Sequence, residues 1–277
     1  MKARSLMYLL GFRPKPKTYG YKLHAFSLPK DGRIAYAQWL HPSETAKEIT
    51  QEAVDELRRF LKPGDVAIDI GAHTGDSSLP MALAVGSRGC VLALEPNKFV
   101  FPVLEKNSEL NRDKTNIIPL MFAATPEDGE YEFEYSDSGF CNGGRHEGIS
   151  KWRHAHAFKL MVQGRNLESY LSNQYPHLVS QIKFIKIDAE GYDLTILTTL
   201  NTLISEYKPY LMAEIYKHTS HAQRERLFQF LSDHGYTIYR VGSESNYLEE
   251  RVERGELMQW RHFDIFCVPK EDTAARV

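Results

Sequence analysis

Cysteine is scarce in this chain. Three occur in 277 residues, Cys90, Cys141 and Cys267, an odd number, far apart and without a C-x-x-C pair. That argues against a disulfide framework or a zinc ribbon and for free thiols in a reducing, cytoplasmic setting. Surplus charge is lacking too: 34 Lys and Arg stand against 36 Asp and Glu, a formal net charge of −2. A chain so balanced is not built for general attraction to nucleic acid or an anionic membrane, although a local patch could bind either. No stretch approaches the ~20 apolar residues of a spanning helix. The N-terminal MKARSLMYLLGFRPKPK is basic and apolar from Leu6 to Phe12. That run is too short and interrupted for a secretory signal, and no cleavage site follows. It reads as a basic tail or a short surface helix; the alternative, a peripheral membrane anchor, would need more apolar area. No internal repeat or low-complexity tract is visible.

What is present is globular: 42% hydrophobic, 25% charged and 12% aromatic residues, enough chain for a substantial core in one large domain or two small ones. Residues 21–40 read as strands around an Asp31-Gly32 turn. Pro42-Ser43-Glu44 opens a helix capped by Ser43, with Ile49, Ala53, Val54, Leu57, Phe60 and Leu61 at helical spacing and Pro63-Gly64 at its end. Strands then alternate with helices. VAIDI (66–70) precedes a helix over 76–85, and CVLALE (90–95) one over 97–110. IIPLMFAA (117–124) is a third strand, and IKFIKID (182–188) a fourth, with a helix over 192–204. PYLMAEI (209–215) is followed by a helix over 220–234, then YTIYRV (236–241) and HFDIFCV (262–268). Such alternation of near-continuous apolar strands with helices predicts a doubly wound α/β fold with a mostly parallel sheet covered on both faces. Residues 242–261 read as a charged loop, making the last strand an antiparallel partner. GEYEFEYS (129–136) alternates like a half-exposed strand, and 137–158 form a polar insertion rich in Gly and His.

Three motifs carry chemistry. The first alternating strand runs into AIDIGAHTGDSS (67–78), whose glycines allow a sharp turn and close ligand approach. From Gly71 the third position is His73 and the sixth Asp76, so the G-x-G-x-x-G dinucleotide fingerprint is missing, as is a P-loop Lys. Asp69 and Asp76 flank the turn. A pyrophosphate would prefer bare N–H groups, whereas an acid-flanked turn suits a ligand carrying positive charge, such as S-adenosylmethionine. Asp69 would serve its ammonium, or it is a buried strand-end acid; Asp76 is more often a helix N-terminal acid than a ligand contact. Glu95, with Pro96 and Asn97 after it, sits where a carboxylate clasps a ribose diol; the alternative is an ordinary strand-end acid with Asn97 as a helix cap. In KFIKIDAEGYD (183–193), Asp188, Glu190 and Asp193 follow Lys186. These acids could ligate a divalent cation, position or deprotonate a substrate hydroxyl, or cap a helix. Glu214, ending the next strand, would face the same crevice.

GDVAIDIGAHTGDSS, VLALEPNKFVFPVLEKNSELN, IKFIKIDAEGYDLTIL and KPYLMAEI together resemble the FkbM family of S-adenosylmethionine-dependent methyltransferases over about residues 62–216. Its pattern runs GD-x-x-x-D-x-GA-x-x-G, E-P-N, K-x-D-x-EG-x-E and P-x-x-x-x-E. His73 and Thr74 depart from the usual Asn and small residue, and Asp193 replaces the second Glu of the EG element. The resemblance implies a Rossmann-like, class I methyltransferase sheet of seven strands in the order 3-2-1-4-5-7-6. Gly71, Ala72, His73, Thr74 and Gly75 would line the methionine end of the cofactor. Glu95 would hold the ribose, Pro96 and Asn97 would flank the adenosine, Ala123 or Ala124 would lie near the adenine, and Asp188 beside the transferred methyl. It further implies O-methylation of a small metabolite, saccharide or other natural product.

An alcohol acceptor must lose a proton, so candidate bases are Asp188, Glu190 and the insertion histidines, His154 foremost. Arg153 and His156, with Lys186 and Glu214, are candidate acceptor contacts, the insertion serving as a lid; the alternative is a solvated loop. His146 is a further insertion candidate; His218 and His221 are weaker ones. A divalent metal is the less favoured reading, and no site is assigned to one. Residues 1–61 are expected to form an extension and a helix packing on the core, and 62–277 the catalytic domain. The expected partner is a small-molecule or saccharide acceptor, with no nucleic acid, and homo-oligomerisation is left open. The competing functions are an N-methyltransferase of the same fold, a nicotinamide-dependent oxidoreductase, and a binding module that has lost its chemistry.

Overall fold

A computed structural model describes residues 15–137, 139–140, 143–144 and 158–272. The chain opens with a hairpin of β1 (Tyr21–Leu28) and β2 (Gly32–Trp39), followed by α1 (Gln51–Phe60). The alternating part comprises β3 (Val66–Ile70), α2 (Ser78–Val85), β4 (Cys90–Leu94), α3 (Phe101–Leu110) and β5 (Ile117–Leu120). Next come β6 (Ala123–Ala124), β7 (Gly129–Tyr135), β8 (Gly143–Gly144), β9 (Phe158–Arg165) and α4 (Leu167–Gln174). The last third holds β10 (Ile182–Ile187), α5 (Asp193–Thr199), α6 (Asn201–Tyr207), β11 (Tyr210–Ile215), α7 (His221–Asp233), β12 (Tyr236–Arg240), β13 (Glu250–Arg251) and β14 (Phe263–Pro269).

The main sheet runs β13-β12-β14-β11-β10-β3-β4-β5. β5, β4, β3, β10 and β11 are parallel, and β14 is antiparallel to both β11 and β12. Apart from β13 this is the expected 3-2-1-4-5-7-6 order. The expected count of seven is corrected to eight, because two residues of the charged loop, Glu250 and Arg251, pair with the outer edge of β12. β3 and β4 are buried at every position, as strands covered on both faces must be. One face packs under α4 to α7 through Leu167, Leu171, Ile196, Leu197, Leu203, Leu227 and Leu231. The other packs under α1, α2, α3 and the hairpin through Val54, Leu57, Leu79, Leu83, Leu104, Ile34 and Tyr36. The hairpin and α1 therefore share a core with the central sheet.

Three sequence expectations shift, each for a local reason. The first helix starts at Gln51, capped by Thr50 Oγ1 accepting from Ala53 N, not at Ser43. Before it, Gln38 of β2 takes the backbone of residues 45–47: Lys47 N donates to its Oε1 at 2.7 Å and its Nε2 donates to Thr45 O at 3.2 Å. Those groups are satisfied without a helix. The run 117–124 splits, because β5 ends with its partner β4 while Ala123 and Ala124 join a second sheet, β6-β9-β7-β8. The helix over 192–204 breaks at Leu200. Just before it, Thr198 and Thr199 hydroxyls donate back to the carbonyls of Leu194 and Ile196, which bends a helix.

Candidate functional site

Strand register assembles the site. Leu94, Ile70, Ile187, Ala213 and Ile265 lie side by side across β4, β3, β10, β11 and β14. One residue further toward the carboxyl edge come Glu95, Gly71, Asp188 and Glu214, with Asp264 of the antiparallel β14 opposite Glu214. The chain leaves β3 toward β4 on one side and returns to β10 on the other, so the edge between β3 and β10 is the topological switch point, where such sheets bind ligands.

The turn after β3 is held at both ends. Gly71 and Ala72 donate their N–H groups to Leu94 O at 3.1 and 2.9 Å. Gly71 has φ 82°, and a Cβ there would lie 2.2 Å from the carbonyl oxygen of Asp188, so only glycine lets β10 come this close. His73 adopts φ 48°. Asp69 is fully buried; its Oδ2 accepts from the hydroxyls of Ser77 at 2.7 Å and Ser78 at 2.6 Å, at the start of α2. Its Oδ1 has no hydrogen-bond partner, and Lys186 Nζ stands 3.6 Å away.

Two adjoining cavities open here. The smaller, about 60 Å³, is lined by apolar side chains such as Ile70, Leu94, Phe122, Phe133 and Ile196, together with Pro96, Ala123 and Ala124. The larger, about 520 Å³, is polar, with Lys47, His73, Asp76, Lys186, Glu190, Glu244, Tyr247 and Asp264 among its lining. Gly71, Glu95, Gly143 and Asp188 line both.

Burial and crowding set the charges. Glu95 is buried and pushed up to about 7, although its two oxygens accept backbone N–H groups from Asn97 at 2.8 Å and His73 at 3.0 Å. Burial also raises Glu190. Asp193 is pushed up to about 7 by burial and then by Asp188; it accepts from Gly191 N and Glu214 N and so fastens its own turn to β11. Glu214 is raised to about 9, first by burial and then by Asp188, Asp193, Glu190 and Asp264. Burial works against the charge of Lys186, but Asp188, Asp69 and further acids outweigh it and hold the ammonium protonated. Burial pulls His73 below its usual range, against the nearby carboxylates. Asp188 is half-exposed, 3.4 Å from Lys186 Nζ.

The model of the methyltransferase FkbM domain matches residues 69–238, more than half of the chain. The chain belongs to the FkbM methyltransferase family. Family members depend on S-adenosylmethionine, and the acid-flanked glycine turn, Glu95 and the Asp188 turn all lie within the match. No curated protein matches the chain. Among solved structures, an FkbM methyltransferase from Methylobacillus flagellatus KT is 18% identical with a TM-score of 0.46, covering 75% of this chain. This chain spans only 44% of that protein's length. Aeropyrum pernix fibrillarin, solved with natively bound S-adenosyl-L-methionine, is 15% identical with a TM-score of 0.43, the match covering 92% of this chain and 97% of that one. A precorrin-6y C5,15-methyltransferase from Geobacter metallireducens GS-15 is 14% identical with a TM-score of 0.43, covering 83% and 96%.

Within this FkbM domain, Gly71, His73, Glu95, Lys186, Asp188 and Glu190 come together around the larger cavity, and Pro96 and Ala123 around the smaller. Ala72, Thr74, Gly75 and Asn97 line neither cavity. Thr74 turns its hydroxyl into the core against Tyr36 OH at 2.7 Å, and Asn97 accepts from Phe99 N and donates to Phe140 O. Glu214 lines a separate hollow of about 440 Å³ between α5 and α7, with its Oε1 on His262 Nε2 at 2.5 Å. His218 and His221 line none of these cavities. His146, Arg153, His154 and His156 lie outside the described residues. Among the described residues, no group of three or more His, Cys, Asp or Glu could hold a metal ion, and no helix is long and apolar enough to cross a membrane. Sequence reasoning missed Lys47, Glu244, Tyr247 and Asp264. Only Asp264 carried a signal, an acid inside the apolar strand HFDIFCV.

Proposed function

We propose that the protein transfers the methyl group of S-adenosylmethionine to a hydroxyl of a small metabolite, saccharide or other natural product. The observation that carries this reading is the half-exposed Asp188 carboxylate on the wall shared by the two cavities. The cavities suit the cofactor: an apolar slot for a flat base, Glu95 at the junction for a ribose diol, and an acidic chamber for a cationic end. In this reading Ala123, Ala124 and Pro96 would flank the adenine, and the backbone of residues 71–73 would border the methionine end. The cofactor supplies an activated methyl on a cationic sulfur that leaves as a neutral thioether.

An acceptor hydroxyl taking up that methyl would give its proton to Asp188 or Glu190. Lys186 holds Asp188 in place. Alignment at near-attack distance supplies much of the rate. A carboxylate base suits a hydroxyl acceptor. An amine acceptor needs no such base once neutral, which makes N-methylation the second reading. Membership of the FkbM family sets the nicotinamide oxidoreductase aside. The buried thiols of Cys90 and Cys267 fit a reducing, cytoplasmic setting. The balanced charge supports a small-molecule partner over nucleic acid.

The test is radiolabelled methyl transfer to a panel of hydroxylated and amine acceptors. Asp188→Asn should bind S-adenosylhomocysteine within about threefold of the parent while transfer falls by roughly 10²–10⁴. Unchanged turnover would reassign the base, and product found only on amines would overturn O-methylation.

A further inference from the structure

The amino-acid end of the cofactor carries an ammonium and a carboxylate on one carbon. The larger cavity offers an ammonium many partners: Asp76, Glu95, Asp188, Glu190, Glu244 and Asp264. For a carboxylate it offers two lysines, Lys47 and Lys186. Lys186 rises from within β10, mostly buried, with Asp69 at 3.6 Å and Asp188 at 3.4 Å. It belongs to the floor. Lys47 comes from the opposite direction, the non-helical segment between β2 and α1, and lies beside the glycine turn. Its Nζ stands 2.8 Å from Asp76 Oδ2 and 3.3 Å from Glu44 Oε1. An ammonium has three donors, and Lys47 lines the cavity, so it can keep its pairing with Asp76 and still reach a ligand there.

The backbone beneath Lys47 is fixed, since Lys47 N donates to Gln38 Oε1 at 2.7 Å. Gln38 sits on β2, whose neighbours Tyr36 and Ala37 are tied to Thr74 and Asn107. Asp76 itself is held ionised against its burial, chiefly by Lys47. The wall therefore presents a fixed positive group and a fixed negative group side by side, the complement of an α-amino acid. Lys47 lies outside residues 69–238, so the family match says nothing of it.

We infer that Lys47 binds the cofactor's carboxylate while Asp76 faces its ammonium, so that the segment before α1 completes the cofactor site. This rests on the cofactor lying across the two cavities as proposed above. The test is calorimetric binding of S-adenosylhomocysteine and of its decarboxylated analogue, which keeps the nucleoside, thioether and ammonium. Lys47→Ala should weaken the intact ligand about 10- to 100-fold and the analogue less than twofold, as expected for one charge-assisted contact. Lys47→Arg should keep most of the affinity. Parallel losses for both ligands would mean that Lys47 only braces the turn, and no loss would mean that it faces solvent; either overturns the inference. So would the same discrimination appearing in Lys186→Met instead. Glu95→Gln should weaken both ligands equally. If the unaltered protein binds neither ligand, the cofactor placement itself fails.

Discussion

Glu95 shows how burial and ligand chemistry meet at one side chain. Its carboxyl is pushed up to about 7 by burial, and each oxygen already accepts one backbone N–H. A carboxylate oxygen has further lone-pair capacity, so a diol would bind the ionised form best. The affinity for S-adenosylhomocysteine should therefore rise between pH 6 and pH 8, and Glu95→Gln should lose about 1–3 kcal/mol of binding at pH 8 and flatten that rise. Titration calorimetry at several pH values checks both, and an affinity independent of pH in the parent would remove Glu95 from the diol. The sequence marked Glu95 as the acid after the second alternating strand. It did not show that Asn97 N and His73 N already draw on it, because those contacts depend on how two turns fold over each other. Asp193 is the opposite case. It reads as one of three equivalent acids in DAEGYD, yet it is spent on holding its own turn to β11.

At the scale of elements, α3 joins the hairpin to the glycine turn. Asn107 accepts from Ala37 N at 2.6 Å and donates to Ala37 O at 3.1 Å and Thr74 O at 2.7 Å. One turn on, Asn111 makes the same pair of bonds with Ala35. Two amides, one within α3 and one at its C-cap, thus supply the partners that the outer edge of β2 would otherwise lack. Asn107→Leu would leave three buried backbone groups unpaired. It should cost about 2–4 kcal/mol in urea unfolding and weaken S-adenosylhomocysteine binding, because Thr74 belongs to the glycine turn. A loss below about 1 kcal/mol would show that the edge is satisfied by other means. In the sequence, Asn107 and Asn111 look like surface residues of a helix; only the hairpin laid against them gives them a role.

For the whole molecule, the crowded carboxyl edge sets the pH dependence of stability. Glu95 and Asp193 rise to about 7 and Glu214 to about 9, each chiefly through burial. A raised carboxyl binds its proton more tightly in the folded state. Its contribution is complete below the ordinary carboxylate range and is lost as pH climbs through the raised value. Asp31 and Asp55 move the other way: Lys30 and Arg58 hold them low, and their contribution is lost only on acidification. The ligand-free protein should be most stable near pH 4–5, at the upper edge of the ordinary carboxylate range, and lose a few kcal/mol by pH 9, read as a falling urea midpoint; a midpoint constant from pH 6 to 9 would contradict this. The sequence by itself determined the long strands of the main sheet, most of the helices between them and the central cofactor motifs, because hydrophobic period, glycine turns and strand-end acids are local patterns. The tertiary structure alone decided which acids share the crevice and which brace its turns. It also brought Lys47 and Asp264, distant along the chain, to the same cavity. Register across five strands and the packing of an N-terminal hairpin are long-range choices that no local pattern encodes.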